Sequence, residues 1–150
     1  MSERFKLIEF YYHPGYCDML GGGHNVSLRR DEEGRWRCIC RDRKQHDAPE
    51  TVTVYEVSAD SVAQFEEFIL KNKVLSLAKR PKSDVFATDY SPWGYSIDYE
   101  IKRFSRTDCK YCSIGEYRKY SKRDRDVLNE LHERFMALRG QKISETVESD

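Results

Sequence analysis

The chain has 150 residues, a length that fits one domain and buries about 70% of the unfolded surface, enough for a core that needs no disulfide or metal. With 26 Lys and Arg against 26 Asp and Glu the formal charge is zero, which removes bulk attraction to nucleic acid or to an anionic membrane and leaves local patches as the electrostatic route to a partner. Hydrophobic residues at 39%, with 10 Tyr, 7 Phe and 2 Trp, exclude the fibrous, low-complexity and disordered classes.

Phe5 to Tyr12 is rich in aromatic and branched side chains and stops at His13-Pro14-Gly15, which predicts a first strand. This is the longest apolar-rich run, and it contains Lys6 and Glu9, so no membrane span is expected. The N-terminus lacks the basic-then-apolar pattern of a signal peptide, and the expected location is cytoplasmic. Gly15 to Gly23 reads as a flexible connection or a loose edge hairpin. Its triple glycine lacks the spacing and the following helix of a phosphate-binding loop.

Asn25 to Arg30 and Trp36 to Arg41 alternate in polarity on either side of Asp31-Glu32-Glu33-Gly34, which predicts a hairpin with one apolar and one mainly basic face. Thr51 to Val57 is a β-branched strand. A helix follows, capped by Ser58 or Asp60, with Val62, Phe65 and Ile69 on its inner side and Phe68 on the flank. Ser76 to Pro92, with two prolines, reads as a long surface connection. From Trp93 to Lys102 the alternation is the clearest in the chain and predicts a half-buried strand.

Arg106 to Tyr120 is ambiguous, with a turn at Cys109 to Cys112 and a short strand at Ser113 to Tyr117. Ser121 then stands three residues before Asp124, and Val127, Leu128, Leu131, Phe135 and Leu138 form a helical stripe. Gly140 fits a helix C-cap, and residues 140–150 read as a polar, mobile tail. The expected fold is a single α+β domain over residues 1–139. It has a mainly antiparallel sheet of about five strands with two helices packed on one face.

Five cysteines cannot all pair within one chain, and in a reducing compartment thiols or metal ligands outrank disulfides. Cys38-x-Cys40 and Cys109-x-x-Cys112 together supply the four thiolates of a tetrahedral zinc site. Zinc (Zn) is therefore the alternative to an expectation of no cofactor. Against it, Cys38 and Cys40 lie on the apolar face of a regular strand, where small buried thiols serve as core. A redox role for Cys109 and Cys112 needs a helix N-terminus to lower a thiol pKa, and Ser113-Ile114-Gly115 does not begin one. Cys17 with His13 or His24 lacks the orienting group of a nucleophilic dyad.

Lys102 to Arg125 holds nine cations and three acids. Tyr111, Tyr117 and Tyr120 are interleaved among them. Cations for phosphates and flat rings for unstacked bases make Arg118, Lys119, Tyr120, Lys122 and Arg123 the candidate contacts of a nucleic-acid-associated module. The segment Tyr90-Ser91-Pro92-Trp93 offers rigid aromatic contact area, and Arg35 and Arg37 stand on the basic strand face. With no enzyme motif intact, the sequence points to a small non-catalytic, adaptor- or inhibitor-like module. Its partner is expected to be another protein, bound through Tyr90, Trp93, Arg35 and Arg37; nucleic acid is the alternative.

Overall fold

A computed structural model describes residues 4–17, 23–44, 47–84 and 90–148, with the backbone alone at 16–17 and 90–91. The elements in chain order are β1 (Arg4–His13), β2 (Tyr16–Cys17), β3 (Gly23–Arg30), β4 (Trp36–Arg43) and β5 (Glu50–Glu56). Helix α1 (Ala59–Lys71) and a 3-10 helix (Val74–Lys79) follow, then β6 (Tyr90–Ser91), β7 (Gly94–Arg103), β8 (Arg106–Gly115), α2 (Lys122–Met136) and β9 (Lys142–Glu148). Seven strands form one antiparallel sheet in the order β8-β7-β1-β3-β4-β5-β9, and β2 pairs separately with β6.

The expected sheet of about five strands with two helices is therefore corrected to a seven-stranded sheet with three helices. The differences lie at the two edges of the sheet, where the short strand expected at Ser113 to Tyr117 is instead β8 (Arg106–Gly115) and β9 is new. β8 replaces the turn expected at Cys109 to Cys112, running from Arg106 to Gly115 without a break in its register with β7. β9 forms where a mobile tail was expected. All seven of its residues are exposed, so it lacks the buried alternation by which a strand is recognised.

The helix-side face of the sheet carries the core. Val26 and Leu28 of β3 stand opposite Cys40 and Cys38 of β4, and all four are buried. On β1 the inward residues are Leu7 and Phe10, both fully buried although three apart. A register shift against β7 between Leu7 and Glu9 makes this possible, because the extra residue resets the alternation. Ser58 caps α1 by accepting a hydrogen bond from the Ser61 amide, and Val62, Phe65, Phe68 and Ile69 face inward. Ser121 and Asp124 form a capping box at the start of α2, which buries Leu128, Leu131 and Phe135. The rings of Phe65 and Phe135 lie 5.0 and 4.6 Å from that of Phe10, joining both helices to β1.

Between the helices, Val74 and Leu77 of the 3-10 helix are buried, so the start of the expected surface connection belongs to the core. Asp124 is buried and receives two hydrogen bonds from Arg80, at 2.8 and 3.1 Å. These bonds, aided by the Ser121 amide, hold the Asp124 carboxyl down at about 2 against its desolvation. Gly140 does not cap α2, whose C-cap is Ala137. It leads into β9, where its amide donates to the Glu56 carbonyl at 2.8 Å and a Cβ would lie 2.8 Å from the same oxygen. Among the described residues no helix is long and apolar enough to cross a membrane.

Candidate functional site

The hairpin of β7 and β8 breaks three local rules within four residues. Its connection is Phe104-Ser105, and Phe104 sits at φ 54°, a left-handed conformation that a bulky side chain avoids. Its ring is 91% exposed, more than any other large hydrophobic side chain described. Arg103 and Arg106 stand directly opposite each other at the closing pair, where like charges destabilise a ladder. Arg4 likewise faces Lys102 across β1 and β7. Asp108 offsets part of this charge through a 3.1 Å bond from Arg106. Among the described residues no ion pair involves Arg4 or Lys102.

Beside this tip, the start of α1 and the ends of β1, β3 and β7 enclose a shallow cavity of about 270 Å³. Among the described residues Arg4, Lys6, Arg30 and Lys102 line it against one acid, Glu66. Glu66 is held in place by the Leu7 amide, which donates to it at 2.7 Å. The Arg30 guanidinium lies 5.0 Å over the Trp36 ring, so this wall is cationic and aromatic together.

The four residues expected to bind a partner are divided between opposite ends of the sheet. Arg35 lies in the β3–β4 turn, exposed and ion-paired with Glu33. Arg37 follows on β4, 3.5 Å from Asp31. Both share an end with Phe104, since β1, paired to β3 and β7, brings those strand ends together. Trp93 is at the far end, half-buried against Tyr95 and stacked 6.3 Å from Tyr120. Tyr90 is also there, its backbone paired with Cys17 in β6 and β2; its side chain and that of Cys17 lie outside those described.

The residues of the nucleic-acid alternative do not form one cationic strip. Arg118 donates to the Arg80 carbonyl, Lys119 faces Asp84 at 3.8 Å, and Lys122 pairs with Asp126. Tyr120 donates its hydroxyl to the Gly115 carbonyl, and burial raises its pKa to about 12. Arg123 lines a mixed-charge groove of about 550 Å³ between α1 and α2.

The four candidate zinc ligands fall into two separated pairs. β4 and β8 are four strand positions apart, about 19 Å at the usual strand spacing, so one tetrahedral site cannot gather all four thiolates. Cys109 and Cys112, an odd number of positions apart on β8, point to opposite faces. Cys109 is exposed, and Cys112 is half-buried with its thiol pushed up to about 11 by desolvation. Among the described residues no three His, Cys, Asp or Glu side chains converge as a metal site would require.

Cys38 and Cys40 are adjacent on the core face. Their mutual hydrogen bond raises the Cys38 thiol and lowers that of Cys40, which also has the Arg139 guanidinium at 3.6 Å. At the far end of the core, Tyr95 Oη and His132 Nδ1 lie 2.9 Å apart. Desolvation raises the phenol and lowers the imidazole, which keeps both neutral.

Phe104 was not singled out from the sequence. The signal was present in Lys102-Arg103-Phe104-Ser105-Arg106, where an aromatic stands outside the alternating apolar set and among cations. Comparison with protein families, curated proteins and solved structures gave no match.

Proposed function

We propose that this chain is a non-catalytic binding module that docks a protein partner through the β7–β8 hairpin tip, with Phe104 as the anchor. Lys102, Arg106 and Arg4 stand near the anchor and favour an acidic partner surface. The observation that carries the reading is the 91% exposure of Phe104 at a left-handed φ of 54°. A ring held in water by a strained backbone costs stability in the free protein, and such departures from local consistency concentrate where the chain meets something else. Aromatic and arginine side chains dominate binding energies at protein interfaces.

One feature favours protein over nucleic acid as the partner. Single strands are bound along continuous cationic grooves with several stacking platforms, whereas this tip offers one ring.

A photo-crosslinking phenylalanine analogue placed at position 104 in the native host tests the proposal. Protein adducts that disappear when Lys102 and Arg106 are both changed to Glu are the expected result. Adducts to nucleic acid, or no adducts, would overturn it.

A further inference from the structure

We infer that the outer edge of β8, with the groove beside it, accepts an extended segment of the partner protein as an added strand. The segment is apolar where its side chains enter the groove and acidic where they meet the cations at its rim. This deepens the reading of the β7–β8 hairpin as the docking element and rests on it for the choice of a protein partner.

The two edges of the sheet differ in how they treat pairing. β9 carries a register shift against β5 between Val54 and Tyr55, and a charge at every third position, Lys142, Glu145 and Glu148. Irregularity and charge are the devices by which an edge strand resists a stranger. β8 has ten residues and no proline, and its three charges, Arg106, Asp108 and Lys110, stand in its first half, leaving Tyr111 to Gly115 uncharged. Its register with β7 is continuous from Gly94 opposite Gly115 to Arg103 opposite Arg106. Among the described residues no strand pairs with its outer side.

Beside that edge lies a groove of about 610 Å³, walled by the 3-10 helix through Leu75 and Ala78 and lined also by Tyr99 and Cys112. Tyr99 and Cys112 both lie on the helix side of the sheet. A strand added to β8 would turn alternate side chains toward this groove, which supplies specificity while the main chain supplies hydrogen bonds. Among the described residues Lys79 and Arg118 line the groove and no carboxylate does; Lys110 lies on the same side of β8, two positions from Cys112. Charge complementarity therefore selects an acidic segment. A second copy of β8 is a poor occupant, because it brings Arg106 and Lys110 against the same cations.

The test is selection of a phage-displayed library of random decapeptides on the immobilised full chain, followed by fluorescence anisotropy with the enriched peptide. The expected peptide alternates apolar residues and carries acids. Its binding weakens about tenfold or more when the exposed Lys79 and Lys110 are both changed to Glu. It slows amide hydrogen exchange in β8 and leaves β9 unchanged. Ala78→Arg, which fills the groove, should abolish binding. If that variant does not fold, the charge variants and the exchange pattern decide the question.

Failure to enrich any peptide, protection of β9 in place of β8, or equal affinity for the charge-reversed protein would overturn the inference. Crosslinks from position 104 with no enriched peptide would sink the groove and leave the tip standing. Enriched peptides that obey the charge test support the groove even when position 104 captures nothing.

Discussion

Phe104→Gly separates what the tip costs from what it does. A non-glycine residue in the left-handed region costs about 1–2 kcal/mol, and Phe104 sits there at φ 54°. Glycine removes that cost but gives back about 0.5–1 kcal/mol through the greater freedom of the unfolded chain. With the ring 91% exposed, the burial forfeited is about 0.2 kcal/mol. The balance is a gain of about 0.5 kcal/mol, with Phe104→Ala, which keeps the strain, about 0.5–1 kcal/mol less stable than Phe104→Gly. In urea, a slope of about 1–3 kcal/mol/M turns this gain into a midpoint raised by a few tenths of a molar unit with the slope unchanged. Partner capture should fall in the same variant. A midpoint lowered by Phe104→Gly would refute the reasoning, because it would mean that the ring is packed in solution. Undiminished capture of the partner would refute its role as anchor.

Asp124→Asn should destabilise the fold by about 1–2 kcal/mol at neutral pH, since it removes the carboxylate charge that pairs with Arg80, a third of which is in water. The folded Asp124 is held at about 2, below its ordinary 3.8. Its contribution is therefore complete above about pH 4 and drains away as pH falls toward 2. Melting curves of the two proteins should converge over that interval; a constant gap would exclude the ionised pair as its source. Gly140→Ala puts a methyl 2.8 Å from the Glu56 carbonyl and should cost about 1–3 kcal/mol, read as faster amide exchange in β9 with α2 unaffected. Cys38→Ala removes the main hydrogen bond that lowers Cys40, so the titration of Cys40, followed by thiolate absorbance, should move up. An unchanged titration would locate the lowering in Arg139 and His24 instead.

The central strands and both helices were legible because each buries one side. Val26, Leu28, Cys38 and Cys40 are apolar at every second position, and Phe65, Ile69, Leu128 and Phe135 recur at helical spacing. Ser58 and Ser121 marked the helix starts, and both act as caps. The β1 register was not legible, since the shift between Leu7 and Glu9 depends on the partner strand. The site itself was half legible. Lys102, Arg103 and Arg106 belong to the basic stretch that stood out. Its C-terminal cations Arg118, Lys119 and Lys122 carry equal sequence signal, yet each meets a carbonyl or a carboxylate. Such partners, distant in sequence for Arg118 and Lys119, appear once the chain is folded.

The edge that sequence patterning read only at its C-terminal end is the edge inferred to bind. A strand announces itself through the difference between a buried face and a wet one, and β8 has Ile114 as its one fully buried side chain. Its remaining positions are exposed or half-buried, because nothing among the described residues covers its outer side or closes the groove over Cys112 and Tyr99. β9 was missed for the same reason, but its bulge and spaced charges explain how it stays unpaired. β8 has no register shift and no charge from Tyr111 to Gly115, and its hairpin ends in a strained, exposed phenylalanine between arginines. A second strand on β8 would supply the missing contrast, burying Cys112 and Tyr99 on one side and pairing the open main chain. The weak pattern of β8 in isolation is then that of a strand whose second neighbour belongs to another chain.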